Sequence, residues 1–275
     1  MLASHPDLLV TPECGFALWL AEAFSSRDCE SRDVRSDYAR QVYACRKFST
    51  WGIALEQLQD HLQRCKATDY GELAAEIYHC YGKLIAKKSY CRWGDKNNFY
   101  LNLIGEIAAL YKDAQFIHIV RDGRDVACSY KEINERKHSS QFAPQLPGEV
   151  EAIAEEWCRN VLEARGALSK LASNRTCEVR FSELVENTEV ELAKLCQFLG
   201  VDYSSRMLDY HLLNVANQME PPELMPWKQN TLSVPRKDRL GRYRCGLSSK
   251  EIRAFEAVAG DVLRLYSFPL HTDAA

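Results

Sequence analysis

Arg121 and Ser129 stand eight residues apart in the stretch YKDAQFIHIVRDGRDVACSY, residues 111–130. A guanidinium and a hydroxyl that converge on one spot can hold a phosphate through charge-assisted bonds. Convergence needs a particular backbone. Gln115 to Val120 is an apolar run rich in Ile and Val. Its length and composition suit a strand buried on both faces of a parallel sheet. The run stops at Arg121-Asp122-Gly123, where a turn begins. Asp122 is placed to cap a helix that carries Val126 and Tyr130 on its inner face. A strand that feeds directly into a helix opens the helix N-terminus at the carboxyl edge of the sheet, where unpaired N–H groups and the helix dipole attract anions. Asp125 and Ser129 share a helix face at i, i+4. The same residues also fit an ordinary strand–turn–helix unit with a surface arginine and a helix-satisfied serine.

The wording of this stretch adds to its pattern. FIHIVRDGRDVACS resembles the 3′-phosphate-binding segment of sulfotransferases that use 3′-phosphoadenosine 5′-phosphosulfate (PAPS), in their bacterial and protein-tyrosine-sulfotransferase-like branch. The resemblance implies that Arg121 and Ser129 contact the 3′-phosphate. Further segments follow the family in order. HPDLLVTPE, residues 5–13, is similar to its HPD…PE segment and aligns Glu13 with the glutamate that serves as general base. A carboxylate within reach of an acceptor hydroxyl can take its proton as it attacks sulfur. On position alone, Glu13 reads as a first-turn acid placed well against a helix dipole. GDK, residues 94–96, resembles the segment whose lysine stands near the sulfuryl group, which implies Lys96; the family's Thr-Pro is here Asn97-Asn98. The alternative is a lysine at a loop–helix junction. RFSEL…FLG resembles R-Y-E-D-L…FLG, so Phe181 occupies the place of a tyrosine at the adenine end, with the ring kept and the hydroxyl lost. RKDRLGRYR, residues 236–244, reads first as a solvated charge run. In these enzymes a basic, glycine-containing loop closes over the nucleotide, which implies Arg236, Lys237, Gly241 and Arg242.

One family element is missing. The Gly-rich phosphate loop, typically PRSGTT, precedes the HPD segment in the family and does not occur here. Gly241 to Gly246 has Walker-like glycine spacing, but Leu247 stands where the lysine belongs and no apolar strand precedes it, so it is rejected as a substitute. The chain as written is expected to bind nucleotide weakly and to transfer sulfate poorly, from a misplaced start or a truncated gene.

Composition bounds the reading. With 275 residues the chain can bury one large α/β domain. A net charge of −3 gives no sign of a nucleic-acid binder. The eleven cysteines lack metal-ligand spacing, and His61 with Cys65, one helical turn apart, reads as a chance pair. Odd count and scatter suit buried thiols in a reducing compartment. With no signal-peptide pattern and no long apolar run, a soluble, cytoplasmic protein without membrane contact is expected.

The remaining elements read as scaffold. After a short strand at Leu8 to Val10, a helix is expected from about Cys14 to Phe24. Three amphipathic helices follow at about 35–48, 51–64 and 69–87, a helical cap within residues 34–88. A helix over 98–110 leads into the central strand. Residues 131–147 read as a long surface loop on the substrate side. A helix over 148–172 carries Trp157 in the core, and Cys177 to Phe181 forms a strand. One helical segment then ends at Gly200, and a final helix opens with the capping box Ser248-Ser-Lys-Glu251. The expected fold is therefore a single α/β domain, a P-loop-NTPase-like three-layer sandwich with a parallel sheet, its first strand and phosphate loop absent. The expected activity is metal-free sulfuryl transfer from PAPS to a hydroxyl or amine of a small-molecule or peptide acceptor. A nucleotide-binding pseudoenzyme and a P-loop nucleotide kinase are the alternatives.

Overall fold

Two short strand pairs, both parallel, organise the chain. The computed structural model describes residues 1–87, 89–136, 140–216, 221 and 223–271. These fall into two compact units, one of residues 1–114 and 204–221, the other of residues 115–203 and 222–275.

In the first unit, β1 (Leu8–Val10) pairs with β2 (Arg92–Gly94), Leu9 facing Trp93 in register. The helix expected over Cys14 to Phe24 is instead two single turns, α1 (Phe16–Trp19) and α2 (Ala21–Phe24). The Trp19 indole folds back over Gly15, where a Cβ would lie 2.5 Å from the ring. Glycine at 15 is what allows this return. The three expected amphipathic helices are present as α3 (Arg32–Ala44), α4 (Leu55–Arg64) and α5 (Tyr70–Leu84). Asp69 caps α5 by accepting from the Glu72 N–H at 2.9 Å. Their apolar faces close over Phe16, Phe48, Trp51 and Tyr78, and Tyr78 stacks on Trp93 of β2 at 4.2 Å. The helix expected over 98–110 splits into a 3₁₀ segment, Asn98–Asn102, and α6 (Ile104–Leu110). Buried Arg35 ties the connections together through the carbonyls of Cys29, Cys65 and Ala67. The unit is completed by α11 (Tyr210–Ala216).

In the second unit, β3 (Phe116–Val120) pairs with β4 (Thr176–Arg180) over its whole length. The strand is not buried on both faces as its composition suggests. His118 and Val120 are buried, whereas Ile119 is 51% exposed. From β3 the chain enters α7 (Gly123–Glu135), capped as expected by Asp122, which accepts from the Arg124 N–H at 2.9 Å. The most buried face of α7 is Arg124, Asp125, Ala127 and Cys128, with Val126 and Tyr130 half-buried beside it. Thus α7 turns polar residues inward, a sign of function or of a buried ion pair.

Of the expected loop over 131–147, the first residues belong to α7, residues 140–147 are irregular, and 137–139 lie outside the described residues. Then come α8 (Val150–Leu168), α9 (Phe181–Glu186) and α10 (Thr188–Leu199). The single segment expected before Gly200 is broken at Asn187, and Gly200 caps α10 in the left-handed region, φ 72°. Phe181 begins α9 rather than ending β4. A short turn, α12 (Tyr243–Gly246), leads to α13 (Ser249–Leu265), whose capping box is formed by Ser248 and Glu251. Trp157 and Phe255 pack over the α7 N-terminus, where a Cβ on Gly123 would meet both at 2.6 Å. This glycine is required by close approach.

Candidate active site

In the first unit, Glu13 follows β1 and the turn at Pro12, and receives two ammonium groups. Lys96, just past β2, bonds its Oε1, and Lys47 bonds its Oε2 at 2.7 Å. The parallel pairing of β1 with β2 brings Glu13 and Lys96 together across 83 residues of sequence. The two lysines differ in freedom. The Lys96 side chain is 61% exposed and that of Lys47 only 20%. Lys47 also holds a left-handed backbone, φ 72°, although it is not glycine, a strain that costs about 1–3 kcal/mol. Sequence reading missed Lys47, because nothing in YACRKFST marks that lysine as different from its neighbours.

Asp95, also missed, is the buried support of this corner. Its Oδ2 accepts from the hydroxyls of Tyr78 at 2.9 Å and Tyr100 at 2.6 Å. Burial pushes its carboxyl up to about 6, against the hydrogen bonds of the two tyrosines. Asp95 fixes the backbone from which Lys96 projects.

In the second unit, Arg121 lies at the end of β3. It donates from Nη1 to Ser129 Oγ at 3.3 Å and from Nη2 to the Arg239 carbonyl at 3.4 Å, and its guanidinium lies 5.2 Å from the Phe181 ring centre. Its own carbonyl accepts from Trp157 Nε1 at 3.1 Å. The Nε–H of Arg121 is buried and has no partner among the described residues. Burial lowers the Arg121 pKa from its ordinary value, opposed mainly by Asp125. That Nε–H, on a half-buried guanidinium, keeps hydrogen-bonding capacity unused among the described residues.

The basic loop over 236–244 divides. Asp125 takes the N–H of Gly241 at 2.9 Å and that of Tyr243 at 3.1 Å, so the turn at Gly241, φ 67°, is pinned to α7. Glu132, one helical repeat further on, holds Arg242 and, at 3.4 Å, Arg239. Arg242 keeps a second buried donor, Nη1, without a partner among the described residues. These contacts gather Arg121, Ser129, Phe181, Gly241 and Arg242 along one side of α7. They do not gather Arg236 and Lys237. Arg236 pairs with Asp238 at the surface, and Lys237 is exposed. Asp125, Glu132 and Arg239 belong to this cluster and were not singled out by sequence. The Asp125–Ser129 spacing was noted, but not the partner that Asp125 holds.

His61 and Cys65, one turn apart in sequence, have separate partners. His61 bonds Glu76 at 2.7 Å and Lys83 at 3.2 Å. Among the described residues no group of three or more His, Cys, Asp or Glu side chains is arranged to hold a metal ion, and no helix is long and apolar enough to cross a membrane.

Each unit thus carries a parallel strand pair, and the first holds a lysine-bound carboxylate. The family profile of sulfotransferases matches residues 1–205, and the chain belongs to that family. No curated protein sequence matches it. Among solved structures it is similar to the sulfotransferase domain of the curacin biosynthetic pathway, with a TM-score of 0.56, 14% identity, and coverage of 98% of this chain and 92% of that one. It is also similar to the sulfotransferase domain of the Synechococcus PCC 7002 olefin synthase, at 0.53 and 17%, covering 94% and 87%. At these identities the likeness establishes the fold, a P-loop-like α/β architecture.

Proposed function

We propose that this protein transfers a sulfuryl group from PAPS to a hydroxyl or amine of a small-molecule or peptide acceptor. The observation that supports the reading is the half-buried Arg121 side chain, hydrogen-bonded to Ser129 Oγ, whose buried Nε–H has no partner among the described residues. These donors suit the 3′-phosphate of the donor nucleotide, and the Phe181 ring beside them suits an adenine. Arg242 and Arg239, held by Glu132, add positive charge to the same side of α7, and Gly241 gives the loop its turn. Arg236 and Lys237 lie further along this loop and meet the nucleotide only if it closes.

Glu13 takes the proton from the acceptor hydroxyl as its oxygen attacks sulfur. Lys47 keeps Oε2 occupied and so fixes the carboxylate. Lys96, the more exposed partner, shifts from Oε1 to the sulfuryl oxygens as the acceptor proton reaches Glu13, and carries its charge there. The rate then rests on positioning and on cations at the moving charge. The eleven cysteines are free thiols, in keeping with a reducing compartment such as the cytoplasm.

The test compares 3′,5′-bisphosphoadenosine with AMP by calorimetry, and follows labelled sulfate from PAPS to a panel of alcohols and amines. Bisphosphate should bind more tightly than AMP. Arg121→Ala should remove about 1.5–3 kcal/mol of that preference. Equal affinity for the two nucleotides overturns the assignment of Arg121 and Ser129. Tight bisphosphate binding without transfer to any acceptor would favour a nucleotide-binding protein without catalysis.

A further inference from the structure

A cleft between α4 and α5, in the first unit, gathers charged side chains that take no part in the proposed transfer. It measures about 650 Å³, and none of the residues of the candidate active site lines it. That is the size of a small-molecule site. The two helices build it from matching stripes. Leu58 and Leu62 of α4 and Ile77 and Tyr81 of α5 face the core. Beside them Gln57, His61 and Arg64 recur at i, i+4 and i+7 on α4, as do Glu76, Cys80 and Lys83 on α5. Both stripes line the cleft. Buried Ile53 and Cys80, with the more exposed Leu84, give it an apolar wall.

The polar lining is unevenly matched. The His61 side chain, 9% exposed, is held at both ring nitrogens, Nε2 by Glu76 at 2.7 Å and Nδ1 by Lys83 at 3.2 Å. An ammonium can only donate, so Nδ1 accepts, and the neutral ring donates from Nε2 to Glu76. That bond holds the Glu76 carboxyl below its usual value, and it is ionised at neutral pH. Lys83 therefore meets a neutral ring and, among the described residues, no carboxylate; its remaining N–H donors are uncommitted. Arg64 spends one donor on Asp60 at 3.3 Å, and Lys66 has no ion-pair partner among the described residues. Arg64, Lys66 and Lys83 thus outnumber Asp60 and Glu76 in the lining, a single positive charge in excess.

We propose that this cleft binds an organic monoanion, a carboxylate or sulfate ester on a short apolar chain, with its head group on Lys83 and Arg64 and its chain against Ile53, Cys80 and Leu84. One excess cation matches one negative charge. A bare inorganic anion would leave the apolar wall in water, and an uncharged alcohol of the same length would forgo the charge-assisted bonds. The site does not depend on the proposed sulfuryl transfer.

The experiment titrates the full chain, isotope-labelled at histidine, with hexanoate, hexyl sulfate, 1-hexanol or inorganic sulfate, and follows the His61 imidazole signals by NMR. His61→Gln identifies those signals by their loss. Hexanoate and hexyl sulfate should shift them saturably, and the tighter of the two identifies the head group. Hexanol and inorganic sulfate should bind about tenfold more weakly or worse. Lys83→Met keeps the apolar stem and the helix. It should weaken both organic anions about tenfold or more and leave hexanol unchanged. Hexanol as tight as hexanoate, or inorganic sulfate as tight as hexyl sulfate, overturns the proposal, as does unaltered anion affinity in Lys83→Met. If none of the four compounds moves His61, the site is overturned, whether or not the protein transfers sulfate from PAPS.

Discussion

Glu13 sits between two ammonium groups of unequal exposure. In its proposed role as general base, Glu13 takes the acceptor proton at Oε1, and the exposed Lys96 is the partner placed to give way there. Glu13→Gln keeps the shape and the lysine contacts but cannot accept the proton. It should lower kcat by roughly 10²–10⁴ while nucleotide affinity is retained. Loss of binding and turnover together would make Glu13 structural. Lys47 permits a sharper test because its strained backbone and its side chain pull in opposite directions. Lys47→Gly relieves the left-handed strain, worth about 1–3 kcal/mol, but removes the bond to Oε2. Thermal stability should be unchanged or higher while kcat falls, a separation that a purely structural lysine would not give. Both effects are read from one melting curve and one rate measurement.

At the scale of elements, α7 is the clamp of the second unit. Its first turn buries Arg124 completely, held by Asp122 at 2.7 Å and by Glu256 of α13 at 2.5 Å, with the guanidinium 4.0 Å from the Tyr243 ring centre. The next residue, Asp125, holds the Gly241 turn through two N–H bonds, and Glu132, about two turns on, holds Arg242 and Arg239. Asp125→Asn keeps one acceptor and sets an NH₂ group against the other N–H. That should free residues 236–244, raising their amide hydrogen exchange and weakening bisphosphate binding. The Arg121–Ser129 contact would be retained. Unchanged exchange in this loop would mean that Asp125 does not hold it.

Much of α7 was legible before the structure. Strand, turn, Asp122 cap and the Arg121–Ser129 spacing all follow from local rules, and local rules survive folding. What could not be read was long-range. Asp125 meets Gly241 across 116 residues, and Lys47 meets Glu13 across 34; no periodicity encodes such meetings. The three broken helices mark the limit of local propensity. Propensity runs through Leu20, Leu103 and Asn187, where the chain in fact leaves the helix.

For the molecule as a whole, its carboxylates set a pH profile with opposing slopes. The hydrogen bond from Arg242 holds Glu132 down to about 2, and that from Lys131 does the same for Glu251. Their unfolded value is 4.5, so the stability they contribute is present above that value. It is lost as pH falls through about 2. The same acidification frees Arg239 and Arg242 of the basic loop from Glu132, one of its two holds on α7. Asp95 acts the other way. Its folded value, about 6, lies above the unfolded 3.8. The folded protein therefore binds a proton that the unfolded chain has lost, and Asp95 makes stability decline as pH rises from 3.8 through about 6. Asp95→Asn removes this titration and keeps an oxygen that can accept from Tyr78 and Tyr100. Melting temperatures of wild type and Asp95→Asn should be compared across this range. The wild type's advantage should be greatest at the acid end and shrink, or reverse, by neutral pH, where the native carboxylate is ionised in a buried site. A constant difference between the two proteins would mean that Asp95 ionises in the fold as readily as in water, and that its burial does not govern its charge.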